Sequence, residues 1–160
     1  MKNSALEKSI CKVIHSASDE ILKQLYAVEV NAHVAPWTFD CIVECFCPEV
    51  QVCAIYVKNE IVGFSALRVV VGEAEIYTIG ILKAYQGQGL GTKLLEFALE
   101  ESRKLGALDC FLEVRVSNVS AIKLYEHFGF EKIGLRKNYY AMTSTTPCED
   151  AYTMHLKMAK

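Results

Sequence analysis

The segment Gln86-Gly87-Gln88-Gly89-Leu90-Gly91-Thr92 joins two stretches of opposite periodicity. Upstream, Glu75 to Leu82 reads as a strand; downstream, Leu90, Leu94, Leu95, Ala98 and Leu99 fall on one stripe of a helix ending near Leu105. Lys93, Glu96, Glu100 and Arg103 occupy the outer face, and Gly106 suits the residue that follows the helix. Glycines at 87, 89 and 91 leave the backbone bare where that helix starts, so several N–H groups can converge on one anion. The helix end adds about half a positive charge. Phosphate or pyrophosphate is the natural ligand of such a place, which calls for a phosphorylated cofactor.

Spacing narrows the choice. A P-loop needs Gly-x-x-x-x-Gly-Lys-Ser/Thr, and a dinucleotide fingerprint needs Gly-x-Gly-x-x-Gly in a first βα unit with an acid about 20 residues on. Gln86-x-x-Gly89-x-Gly91 fits neither, and its strand comes mid-chain.

At 160 residues the chain has room for one domain with its own core, and a monomer is expected. Seventeen basic and 19 acidic residues give a net charge of -2, which argues against direct binding of nucleic acid. Met1 to Lys8 lack the apolar centre of a signal peptide, and no apolar run approaches the roughly 18 residues of a membrane span. A cytoplasmic protein without membrane contact is the expectation. Cys11, Cys41, Cys45, Cys47, Cys53, Cys110 and Cys148 are odd in number and mostly in apolar company, as reduced core residues are. The cluster from Cys41 to Cys53 lacks paired Cys-x-x-Cys knuckles, so no metal is expected.

Along the chain, a strand from Ile10 to His15 precedes a helix capped within Ser16 to Asp19 and ended by Pro36-Trp37. Thr38 caps a short second helix through Phe46. Val50 to Val57 and Ile61 to Val71 form a hairpin through Lys58-Asn59-Glu60. After the glycine loop and its helix come a strand (Cys110 to Val116), a helix (Val119 to Phe128) and strands Phe130 to Arg136 and Ala151 to Met158. The order β-α-α-β-β-β-α-β-α-β-β implies an α/β (α+β) domain: a mixed, mostly antiparallel sheet of about seven strands with helices on both faces.

That order, the glycine loop and Ser117-Asn118-x-x-Ala121-x-x-Leu124-Tyr125-Glu126-x-x-Gly129-Phe130 together resemble the Gcn5-related N-acetyltransferase superfamily over residues 10 to 158. Within it, three pieces are similar to the bacterial RimI-type enzymes. These are Glu29-x-x-x-His33-x-x-Pro36-Trp37, Leu112-Glu113-Val114-Arg115-x-Ser117-Asn118, and Arg136-x-Asn138-Tyr139-Tyr140 followed by Glu149-Asp150-Ala151. The resemblance implies acetyl-CoA as cosubstrate, held by Gly87, Gln88, Gly89, Leu90, Gly91 and Thr92. It implies the N-terminal alanine of a small-subunit ribosomal protein as acceptor, attacking directly in a ternary complex. A small amine, such as a polyamine or aminoglycoside, stays open as acceptor, and a cofactor sensor without turnover stays open as a role.

Acyl transfer to an amine needs a base for the ammonium and an acid for the departing thiolate. Glu113 is the candidate base, in an apolar strand expected to desolvate it; alternatively it faces solvent or pairs with Arg115. Asn118, Ala121 and Tyr125 share one helix face. The resemblance assigns Asn118 to the cofactor arm and Tyr125 to the acid, against a plain half-buried tyrosine. Gly80 marks a bulge or a close ligand approach, and the resemblance places the pantetheine arm on the backbone near Ile79 and Ile81. His33, Pro36 and Trp37 either wall the acceptor groove or merely end a helix. Tyr139 and Tyr140 should face opposite ways, and Glu149 and Asp150 could attract a basic acceptor.

Overall fold

The computed structural model describes residues 4–158, so the reading of Met1 to Asn3 lies outside the described residues. One helical turn that the sequence pattern did not announce, α1 (Ser4–Glu7), comes first. Three longer helices start on side chains that accept a backbone N–H: Ser18 ahead of α2 (Asp19–Ala32), Thr38 ahead of α3 (Phe39–Glu44) and Asn118 ahead of α5 (Val119–His127). Each such cap is worth about 1 kcal/mol. The helix behind the glycine loop, α4 (Leu90–Lys104), starts instead on Gly89 at φ 85°, with no side-chain cap.

The strands are β1 (Ser9–Ile14), β2 (Val50–Val57), β3 (Glu60–Val70), β4 (Glu73–Ile81), β5 (Asp109–Arg115), β6 (Glu131–Tyr140) and β7 (Glu149–Lys157). They form one sheet in the order β1-β2-β3-β4-β5-β7-β6. Only β4 and β5 pair parallel, so the sheet is mixed and mostly antiparallel, as the element order implied. Lys58 and Asn59 both take positive φ, the backbone twist that a two-residue hairpin between β2 and β3 requires.

Alternation along β2 divides the core. Cys53 and Ile55 face α4 and α5, packing with Leu90, Leu94, Leu95, Ala98, Leu99 and Tyr125. Val52 and Ala54 face the other way, packing with Leu25, Val28 and Ile42 of α2 and α3. Burying each of those leucines contributes roughly 1.5–3 kcal/mol, which is why α4 holds its place without a side-chain cap.

Two of the sheet's irregularities border the gap described below, one in central β4 and one in edge strand β6. Opposite Ala66 and Leu67 stand Thr78 and Ile76, leaving Tyr77 as an extra residue in β4. The bulge therefore lies at Tyr77 and not at Gly80. In β6 the register shifts between Arg136 and Tyr140, with Asn138 at φ 53°.

Candidate active site

β4 and β5 pair from Glu73 opposite Asp109 as far as Ile76 opposite Leu112, and there the pairing stops. From Tyr77 to Ile81, β4 presents to this side an edge that β5 does not cover. A cavity of about 380 Å³ lies over the gap, lined by residues of α2, β4, β5, α5 and the end of β6. Its walls include Glu113, Asn118, Tyr125 and Ile79.

Along β5 the buried residues are Cys110, Leu112 and Val114, all packed toward α4 and α5. Glu113 points to the opposite face, because neighbours in a strand alternate. Leu112 and Val114 therefore do not desolvate it, contrary to the sequence expectation. Its surroundings are polar: the Thr153 hydroxyl donates to Oε2 at 2.7 Å, and Arg136 approaches Oε1 at 3.3 Å. The pairing with Arg115 does not form either; Arg115 bonds Glu149 at 3.3 Å and stacks on the Tyr140 ring. Glu113 stays 19 % exposed.

Tyr125 comes from the other side of the sheet. It is buried in the α4/α5 core, edge-on to Phe130 at 5.7 Å, while still lining the cavity. Burial first, then Tyr140 and Cys110, push its phenol well above the ordinary tyrosine range, so it stays protonated. Asn118, Ala121 and Tyr125 all line the cavity, as their shared helix face implied. The Asn118 Oδ1, however, caps α5 by accepting from the Ala121 N–H at 3.3 Å and also accepts from the Ser120 hydroxyl at 3.3 Å, which leaves its amide nitrogen for a ligand.

The glycine loop is built as a cradle. Gly87 and Gly89 take φ 74° and 85°, and a Cβ on Gly87 would meet nothing within 4 Å. Gln86 turns inward and donates to the Ile81 carbonyl at 2.8 Å, bracing the loop against β4. The N–H groups from Gly87 to Thr92 have no protein acceptor among the described residues, which suits a pyrophosphate. The Leu90 side chain is buried, so only its backbone can serve the ligand. Ile81 is likewise buried, while Ile79 borders the cavity. A Cβ on Gly80 would lie 2.9 Å from His33 Nε2 and 3.0 Å from Ala32 Cβ. Glycine stands there so that α2 can approach the sheet.

The sequence model of the Acetyltransferase (GNAT) family matches residues 20–130. The chain belongs to the acetyltransferase (GNAT) family. A Haemophilus influenzae relative named [ribosomal protein bS18]-alanine N-acetyltransferase is 37% identical over 76% of this chain and 83% of its own length. The crystal structure of the ribosomal-protein-S18-alanine N-acetyltransferase from Escherichia coli is 33% identical, with a TM-score of 0.82 over 94% of this chain and 97% of that one. Arabidopsis thaliana Naa50 in complex with the bisubstrate analogue CoA-Ac-MVNAL shares the fold, with a TM-score of 0.76 at 24% identity over 94% of this chain and 99% of that one.

On the face of this GNAT sheet that carries Glu113, two aromatic pieces border the cavity: Trp37, beyond α2, and Tyr140, at the end of β6. Tyr139 and Tyr140 do not face opposite ways. The bulge at Asn138 brings their rings to 5.0 Å, with Tyr139 stacked on Arg136. Glu149 and Asp150 are already engaged: Glu149 accepts from the Ser117 N–H at 2.8 Å, and Asp150 from the Asn138 N–H at 2.8 Å. Burial opposes charge on Glu149, but the bonds from Ser117 and Arg115 outweigh it and hold its carboxyl below the usual range. Cys110, a conceivable acyl carrier, is fully buried with its thiol pushed up to about 12 by burial, which removes it as a nucleophile.

Sequence reasoning gave Glu29 and Thr78 no role, yet both line the cavity and are buried. A signal was present in the four-residue spacing of Glu29 and His33, which sets two polar groups on the helix face that also carries Leu22 and Leu25. Among the described residues no group of three or more His, Cys, Asp or Glu is arranged to hold a metal ion. No helix among them is long and apolar enough to cross a membrane.

Proposed function

We propose that this GNAT chain is an acetyl-CoA-dependent Nα-acetyltransferase acting on the N-terminal alanine of a small-subunit ribosomal protein. The observation that carries the chemistry is the placement of Glu113 and Tyr125 on opposite faces of the sheet, around one gap between β4 and β5. The acceptor assignment rests on the named function of the Haemophilus influenzae and Escherichia coli relatives.

Backbone N–H groups from Gly87 to Thr92 would hold the pyrophosphate, and the uncovered edge of β4 near Ile79 and Ile81 would take the pantetheine arm as an added strand. When bound, acetyl-CoA supplies an electrophilic thioester carbonyl. Glu113 draws a proton from the acceptor's ammonium group, and an α-amine with a pKa near 8 needs only a modest base. The freed amine attacks directly. Tyr125 hands its proton to the departing thiolate, so charge does not build up on sulfur, and the nitrogen's second proton, lost as the amide forms, restores the phenol.

Glu113→Gln should slow turnover of an alanine-initiated basic peptide by about 100-fold or more while leaving acetyl-CoA binding nearly intact. Thiol release and calorimetry measure the two. Unchanged turnover would remove Glu113 from the mechanism. Turnover confined to a polyamine would overturn the acceptor assignment, which intact-mass comparison of ribosomal proteins from cells with and without this chain tests independently.

A further inference from the structure

Two carboxylates face the cavity, and they differ in one respect. Glu113 has a cation beside it, Arg136 at 3.3 Å. Glu29, only 2% exposed, has no lysine or arginine within 4 Å among the described residues; its basic neighbour there is His33, at 3.5 Å. The bonds Glu29 does have come from neutral donors, the Trp37 N–H to Oε1 at 3.2 Å and the Thr78 hydroxyl to Oε2 at 3.2 Å. Thr78 has a single hydroxyl proton, and it goes to Glu29. The His33 Nε2 lies 3.2 Å from the same hydroxyl oxygen and donates to it in the tautomer that carries a proton on Nε2. Both Glu29 oxygens thus accept, Oε1 from the Trp37 N–H and Oε2 from the Thr78 hydroxyl. A buried carboxylate without a full counter-charge is costly.

A purely structural acceptor would not need that charge, since glutamine could take the Trp37 bond and donate to Thr78. Glu29 also stands where a cation can arrive. Thr78 follows the bulge at Tyr77, at the point where β4 loses β5, on the sheet face that carries Glu113. We infer that Glu29 receives the primary ammonium group of the acceptor and holds it in the cavity for deprotonation by Glu113. The substrate brings a positive charge to a carboxylate that no lysine or arginine reaches among the described residues, and His33 and Thr78 are positioning residues that aim it. This rests on the acetyltransferase reading above but not on which amine is the acceptor.

The test uses the full chain with two acceptors, an alanine-initiated basic peptide and a polyamine, together with the same peptide lacking its α-amine as an inhibitor. In Glu29→Gln the KM for the amine should rise roughly 30-fold or more, as for the loss of one partner of a buried charge pair. The KM for acetyl-CoA should hold, and the amine-free peptide should inhibit as it does the wild type. Glu29→Asp, which keeps the charge on a shorter arm, should recover part of the affinity, and it carries the test if the glutamine variant melts early. An unchanged amine KM, or equal weakening of the amine-free peptide, would overturn the inference. Wild-type turnover of the polyamine alone would replace the peptide as acceptor while Glu29 is judged on the polyamine KM. Silence on both amines would overturn both readings.

Discussion

Gly80 shows how a single missing Cβ can let α2 close on the sheet. A Cβ there points at His33 and Ala32, toward α2 and not into the gap. Gly80→Ala should therefore push the end of α2 outward, cost about 1–3 kcal/mol, and raise the acceptor KM while acetyl-CoA binding stays nearly unchanged. Thermal melts and the two KM values check this, and a weakened acetyl-CoA interaction with an unchanged acceptor KM would refute it. Glu113 and Tyr125 were legible in sequence as residues but not as environments. The partners of Glu113 come from Arg136 and Thr153, distant in the chain, and nothing in Phe111-Leu112-Glu113-Val114 announces them. The pair Tyr139-Tyr140 was misread for a like reason. Its rings meet because Asp150, twelve residues on, holds Asn138 in a positive-φ bulge.

Among the elements, the strand, glycine loop and helix around residue 89 were the most readable, because strict periodicity on both sides met an abrupt change of composition. That unit also separates folding from binding. Gly87→Ala places a Cβ in open space at φ 74°, so the fold should lose only roughly 1–2 kcal/mol of backbone strain. The larger loss should fall on acetyl-CoA, with at least a tenfold weaker Kd, about 1.4 kcal/mol, by calorimetry. An unchanged Kd would mean that the loop amides grip nothing. The bulge in β4 was less readable. Tyr77 breaks no sequence pattern, and the glycine three residues later drew attention for a different physical reason.

For the whole molecule, the order of elements implied the mixed seven-stranded sheet and its two helical faces, but not which carboxylates tie its parts together. Glu149 is one such tie, joining β7 to the turn before α5 and to Arg115 of β5. Its carboxyl is held below the ordinary value of 4.5 in the folded protein. The stability it contributes is therefore complete above that value and is lost as pH falls through the lower folded value. Melting temperatures between pH 3 and pH 7 should drop less steeply on the acid side for Glu149→Gln than for the wild type. Parallel curves would show that the tie does not respond to protons. The parting of β4 from β5 has a wider consequence on the proposed mechanism. A thioester threaded from the helix side and an amine arriving from beyond the sheet meet midway through its thickness, so neither obstructs the other's departure. Lineages of this enzyme can then trade one acceptor for another by redrawing a single surface, with the donor's berth left as it was.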